Sequence, residues 1–300
     1  MKEPTKGSRK GPTIMREPRA RRAVSAALAV AVSFDLDADA DADDAVVLHE
    51  SNRITLWLTP GDVLARVAPL GEDAAGFEVE LARRLTLAGA PVASPHPRVP
   101  AIVHEHDGFA ITLWTHHPPV PPLDVPASDY AHALARLHEG LREIDLPAPR
   151  FTDRVAQARA LVDDHHRTPE LTAPDRELLA GTLREMERSV LEHGAPERLL
   201  HGEPHPGNLL PTAEGPLFVD LETCCRGPVE FDLAHAPDEV ADHYPDVDRE
   251  LLRRCRTLMT AMIAAWRWDR DDRFPDGRRQ GIEWIARLRA ATGADGAGLR

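Results

Sequence analysis

Cysteine is nearly absent: three in 300 residues, two of them adjacent at Cys224 and Cys225. So few thiols cannot build a disulfide framework, and a reducing, cytoplasmic compartment is the natural reading. Aromatic residues are scarce at 5%, which argues against a single-strand nucleic-acid binder that stacks bases on aromatic faces. Basic charge is outweighed, 36 Lys and Arg against 49 Asp and Glu for a net charge of −13. A phosphate backbone needs a cationic surface, so no nucleic-acid partner is expected. No apolar run approaches the ~20 residues that span a bilayer, so no membrane association is expected either. The stretch Ala23–Phe34 behind Arg21 and Arg22 imitates a signal-peptide core, but an acidic run (Asp35, Asp37, Asp39, Asp41, Asp43, Asp44) follows at once, without a clear small-residue cleavage site. The pattern predicts instead a first helix, Arg19 to Ser33, burying Val24, Leu28 and Val32.

What basic charge there is lies at the start. Residues 1–22 hold eight Lys and Arg against Glu3 and Glu17, with Pro and Gly but no apolar period. Residues 1–18 are therefore read as a disordered basic arm, with Met15 an equally good start, and the Asp-Ala repeat at 35–44 as a solvated linker. From Ala45 the pattern turns to strands: Ala45–His49, Ile54–Leu58 and Val63–Val67, separated by Ser51-Asn52 and Pro60-Gly61-Asp62, predict an antiparallel meander. A helix from Phe77 to Ala88 and a strand pair, Ala101–His104 and Phe109–Trp114, follow. Prolines cluster again at 118–126, and beyond them the chain reads as mostly helical. Ser128 is the expected cap of a helix bearing Tyr130, Leu134, Leu137, Leu141 and Ile144. Further helices run from about Pro174 to His193, closed by Gly194, and through Leu251 to Trp266. The division is a β-rich part over 19–115 and an α-rich part over 116–300.

Chemistry is concentrated between Leu199 and Leu233. His201 and His205 are spaced like zinc ligands on a helix, but Pro204, Pro206 and Gly207 forbid that helix. Taken as a loop and a β-hairpin, the segment has Asn208 opening the first strand and Asp220 closing the second, so both side chains emerge at the same end. An amide oxygen and a carboxylate there are hard donors of the kind Mg²⁺ accepts. Glu203 lies five residues before Asn208 on the same loop. A carboxylate beside two metal-type ligands is the constellation of phosphoryl transfer. Glu222 joins that side if the strand continues. His201, His205 and Asp232 are expected to organise the loop, and Cys224 and Cys225 to be buried apolar residues.

The run His201-Gly202-Glu203-Pro204-His205-Pro206-Gly207-Asn208, followed by Asp220-Leu221-Glu222, resembles the catalytic segment of the aminoglycoside phosphotransferase and choline kinase group. Over roughly residues 45–270 the similarity continues. Ser51-Asn52 resembles the nucleotide-loop turn, Val63–Val67 the strand with the phosphate-binding cation, and Glu78 the family's helix glutamate. Leu113-Trp114-Thr115 resembles the hinge, and Leu134 to His138 a helix of the large lobe. The resemblance implies a protein-kinase-like two-lobe α+β fold, with ATP (or another nucleoside triphosphate) and Mg²⁺ bound in the cleft. The γ-phosphoryl group would pass to a hydroxyl of a small molecule, aminoglycoside-like or another cationic amino-alcohol. Glu203 would orient that hydroxyl, Asn208 and Asp220 hold Mg²⁺, Arg66 clamp phosphates and Glu78 position Arg66. Ser51, Asn52, Leu113, Trp114 and Thr115 would contact the nucleotide. Two departures stand out. Glu203 replaces the usual Asp, so a nucleotide-binding pseudokinase acting as sensor or scaffold is the alternative. Arg66 replaces the common Lys but keeps the charge and can bind phosphate bidentately.

Overall fold

The computed structural model describes residues 18–36, 45–50, 53–71, 74–121 and 123–295. The basic arm over 1–17, the Asp-Ala repeat from Asp37 to Asp44, and Ser51 and Asn52 lie outside them. The chain divides into two compact units, one up to Val120 and one from Pro121.

In the first unit, α1 (Pro18–Ser33) precedes β1 (Ala45–Glu50), β2 (Ile54–Leu58) and β3 (Val63–Pro69); α2 (Ala74–Leu87), β4 (His104–His106) and β5 (Phe109–Thr115) follow. The strands form one five-stranded antiparallel sheet in the order β1-β2-β3-β5-β4. Alternation decides its buried face: Leu56 and Leu58 on β2, and Val63, Ala65 and Val67 on β3, point inward while their neighbours are half-exposed. Helix α1 meets this face with Ala23, Val24, Ala27, Leu28 and Ala31. Side chains this small let the helix lie close to the sheet, and each buried Val or Leu contributes about 1.5–3 kcal/mol. Val32 does not join them. It is 43% exposed, while Val30 and Ala31 of the same turn take the buried side. Arg22 fixes the helix to the β4–β5 turn, donating from Nε and Nη2 to the Asp107 carboxylate at 3.0 and 3.1 Å.

The second unit carries α3 (Ala127–Arg142), α4 (Phe151–Asp163) and α5 (Ala173–His193). Then come β6 (Arg198–Leu200), β7 (Leu209–Thr212), β8 (Gly215–Phe218) and β9 (Cys225–Gly227), and finally α6 (Val229–Leu233), α7 (Val240–His243), α8 (Arg249–Arg267) and α9 (Gly277–Asp295). Helix α8 is its spine and packs against α4, α5, α6 and α9. Asp248 caps α8, accepting from Glu250 N and Leu251 N at 2.9 Å each. Gly194 ends α5 with φ of 73°. Helix α3 begins one residue before the expected Ser128 cap: Pro126 occupies the cap position, and no side chain bonds there. Proline supplies the extended entry into the helix, and the Ser128 hydroxyl turns to Asp129 instead, at 3.3 Å. Two short pairs, β6-β9 and β7-β8, frame the polar loops between α5 and α6.

Candidate active site

The segment from His201 to Asn208 leaves β6 and is held by a buried carboxylate. Asp232, on α6, accepts from His201 N and Gly202 N at 2.8 Å each and from His138 Nε2 at 2.9 Å. Burial alone would raise the Asp232 carboxyl, but these donors outweigh it and hold it below the usual carboxylate range. The second nitrogen of His138 accepts from Tyr244 Oη at 2.7 Å. Burial pushes the Tyr244 hydroxyl up to about 12, so it stays a donor. The His201 ring, fully buried, accepts from Glu203 N at 3.3 Å and donates to Val219 O at 3.0 Å. Desolvation lowers its pKa, which suits a neutral ring with one donor and one acceptor nitrogen. His201, His205 and Asp232 are therefore loop organisers. His205 takes Gly207 N at 3.0 Å and has no metal geometry.

Gly202 is required where it stands. Its φ is 90°, and a Cβ there would lie 2.0 Å from Thr223 O. Beyond it, Tyr130 Oη donates to Pro204 O, and a single 3-10 turn, Pro206–Asn208, delivers Asn208 to the start of β7. Asn208 Nδ2 donates to Glu203 O at 3.0 Å, which leaves the amide oxygen as its outward donor atom. Its own carbonyl accepts from Val219 N at 3.0 Å, the residue before Asp220. The β7-β8 hairpin thus does bring Asn208 and Asp220 to one end. Asp220 sits in the left-handed region at φ 66° and starts a second 3-10 turn, Leu221–Thr223. The strand does not continue to Glu222, so the condition set for that residue is not met. The tight turn still leaves oxygens of Asp220 and Glu222 within 4.8 Å of each other.

Glu203 itself is paired. Arg154 Nη2, on α4, donates to its Oε1, and Nη1 reaches Gly202 O at 3.5 Å. The guanidinium lies over the Trp266 ring of α8, 5.2 Å from its centroid. Beside α6, His235 is half-buried, and its Nε2, shielded from solvent, has no hydrogen-bond partner among the described residues. Burial pushes its pKa down to about 4. Sequence reasoning missed Arg154, Trp266 and His235. Arg154 and Trp266 come from helices α4 and α8 and His235 from the turn after α6, and none belongs to a local motif.

In the first unit, Arg66 on β3 donates to Glu78 on α2, and Arg53 reaches the same carboxylate at 3.3 Å. Glu78 is 2% exposed, so two guanidinium groups neutralise one buried charge. Arg53 was not foreseen. Leu113 O accepts from His96 N, and Thr115 N donates to Ser94 O, both at 3.0 Å. Trp114 Nε1 donates to Thr112 Oγ1 at 2.8 Å. Ser51 and Asn52 fall outside the described residues.

This arrangement defines a class. A five-stranded antiparallel unit and a mostly helical unit, together with the structural neighbours, make a protein-kinase-like, two-lobe α+β fold. The chain belongs to the phosphotransferase enzyme family, APH, which it matches over residues 45–270. It is a small-molecule phosphotransferase enzyme. No curated protein sequence matches it. Among solved structures it is similar to amicoumacin kinase hAmiN in complex with AMP-PNP, Ca²⁺ and Ami. The TM-score is 0.66 at 12% identity, over 93% of this chain and 97% of that one. A choline/ethanolamine kinase family protein from Mesorhizobium loti gives 0.64 at 16%, over 91% and 93%. The GDP complex of aminoglycoside 2'-phosphotransferase-IIIa gives 0.65 at 15%, over 88% and 97%. At these identities the likeness is one of fold. Among the described residues no helix is long and apolar enough to cross a membrane.

Proposed function

We propose that the chain transfers the γ-phosphoryl group of ATP, or of another nucleoside triphosphate, to a hydroxyl of a small cationic acceptor of the aminoglycoside or amino-alcohol kind. The observation that carries this reading is the bond from Asn208 Nδ2 to Glu203 O, with Asn208 O in turn accepting from the N–H of Val219, the residue before Asp220. These bonds support taking the backbone at Glu203, the Asn208 side chain and the end of β8 as one assembly. Glu203 receives the acceptor's proton as the acceptor oxygen bonds to the γ-phosphorus and the bridging P–O bond breaks, releasing nucleoside diphosphate. In the first unit, Arg66 neutralises phosphate charge and Glu78, braced by Arg53, orients it. The base is met at the end of β5, past the backbone groups of Leu113 and Thr115 that already bind Ser94 and His96.

The donor set suits Mg²⁺: an amide oxygen freed by its own NH₂ bond, the Asp220 carboxylate, and Glu222 close by, all hard oxygen donors. Bound there, the ion would offset charge on the transferring phosphoryl oxygens. The three cysteines are buried and in no disulfide, in keeping with a reducing cytoplasm, and neither nucleic acid nor membrane is a proposed partner.

The test is a nucleotide-consumption screen with ATP and with GTP against choline, ethanolamine, kanamycin and spectinomycin. Asp220→Ala serves as the blank. Acceptor-dependent turnover that Asp220→Ala loses supports the reading. Nucleotide binding without turnover of any acceptor would favour the pseudokinase alternative, to which the Arg154 tie on Glu203 lends its one specific observation.

A further inference from the structure

We propose that Arg154 is a positioning residue for Glu203 and that the two form a matched pair, which is why a glutamate works at this position. The inference rests on the phosphotransfer reading above. Arg154 is fixed on three sides: by Glu203 Oε1, by Gly202 O at 3.5 Å, and by the Trp266 ring at 5.2 Å. Only 14% of its side chain is exposed. A guanidinium seated on an indole face keeps its plane and its fork direction, which a flexible ammonium would not.

The consequence falls on Glu203. Its carboxylate has one more methylene and one more torsion than an aspartate, and a loose side chain of that kind loses up to about 2 kcal/mol of rotamer entropy on ordering. Arg154 removes that freedom by holding Oε1. No hydrogen bond reaches Oε2 among the described residues, so one oxygen is anchored and the other is left for the acceptor hydroxyl. An aspartate on the same loop would end about 1.5 Å short of a guanidinium that cannot follow it, and misplacement of about 1 Å can lower a rate on the order of a hundredfold. The glutamate is then an adaptation to where α4 and α8 hold Arg154, rather than a mark of lost catalysis.

The experiment is a double-mutant cycle on whichever acceptor of the screened panel the wild-type chain turns over, read as kcat and nucleotide KM. Arg154→Met should lower kcat about tenfold or more and leave nucleotide KM within about twofold, since Arg154 acts through Glu203 and not on the triphosphate. Arg154→Lys should recover part of the loss. The decisive readout is the kcat ratio of Glu203 to Glu203→Asp. With Arg154 in place Glu203 should be the faster; with Arg154→Met the advantage should vanish or reverse. A merely structural role would lower both forms alike and leave the ratio unchanged. If Arg154→Met fails to fold, the same ratio is read in Arg154→Lys. A constant ratio in an active protein overturns the role of Arg154 alone. Silence of the wild-type chain across the panel overturns the transfer reaction, and this role with it.

Discussion

His138 and Asp232 meet inside the second unit, Nε2 to Oδ2 at 2.9 Å, with 2% and 0% of their side chains exposed. This contact joins α3 to the carboxylate that holds the start of the His201–Asn208 loop by two backbone N–H groups. Removing the carboxylate would leave three buried donors unanswered.

Asp232→Ala should therefore destabilise the chain by about 3–5 kcal/mol. Asp232→Asn should be milder but still damaging, because its amide NH₂ must face one of the donors. Equilibrium urea unfolding measures both. A loss under about 1 kcal/mol for Asp232→Ala would show that the loop does not depend on this anchor.

Stability should fall with acid before the carboxylates titrate. Burial depresses His201, and it depresses His235 from 6.5 to about 4. The unfolded chain takes up these protons near pH 6.5 and the folded chain does not. Their contribution is complete above that pH and is lost as pH drops toward 4. For His235 alone the loss across the window is on the order of 3 kcal/mol. Urea midpoints at pH 7.5 and 5 should diverge in the wild type and diverge less in His235→Leu, where only His201 still contributes. Equal pH slopes in the two proteins would refute the assignment.

Gly202→Ala should abolish transfer. The new Cβ would collide with backbone at Thr223 O, 2.0 Å away, in a conformation side chains avoid. The loop must move, and Glu203 moves with it. Turnover within about twofold of wild type would mean that the loop tolerates a different path.

The two arginines on Glu78 should separate in a nucleotide titration. Arg66 is assigned to the phosphates, so Arg66→Ala should raise nucleotide KM about tenfold, roughly 1.4 kcal/mol. Arg53 braces Glu78 from the other side at 3.3 Å, and Arg53→Ala should raise KM by less than about threefold. The reverse order would transfer the phosphate role to Arg53.

Much of the fold was legible because its signals are local. The β2 bounds, Ile54–Leu58, follow directly from alternation between two turn clusters. The close of α5 at Gly194 follows from the glycine, and the β7-β8 hairpin from apolar pairs around Ala213-Glu214-Gly215. Helix α4 was not singled out. Its buried residues Phe151, Val155, Ala158, Leu161 and Val162 are diluted by Arg154 and Arg159, which pair elsewhere in the unit. The loop motif singled out Glu203, Asn208 and Asp220 as a cluster by spacing, and the family resemblance supplied their expected roles. Arg154 was invisible for a different reason. An arginine on an amphipathic helix looks like any solvated charge, and only tertiary structure brings it to a carboxylate 49 positions away. His235 was equally silent, since a single histidine after Phe231-Asp232 carries no mark of burial.

The most direct test of the account is transfer itself, followed by mass spectrometry of the acceptor in the wild type and in Glu203→Gln. The wild type should add one phosphoryl group to a hydroxyl of an acceptor in the presence of Mg²⁺ and nucleoside triphosphate. Glu203→Gln should cut kcat by about a hundredfold with nucleotide KM nearly unchanged, because the amide cannot take the hydroxyl proton. Phosphorylated acceptor formed at the same rate by Glu203→Gln as by the wild type would contradict it.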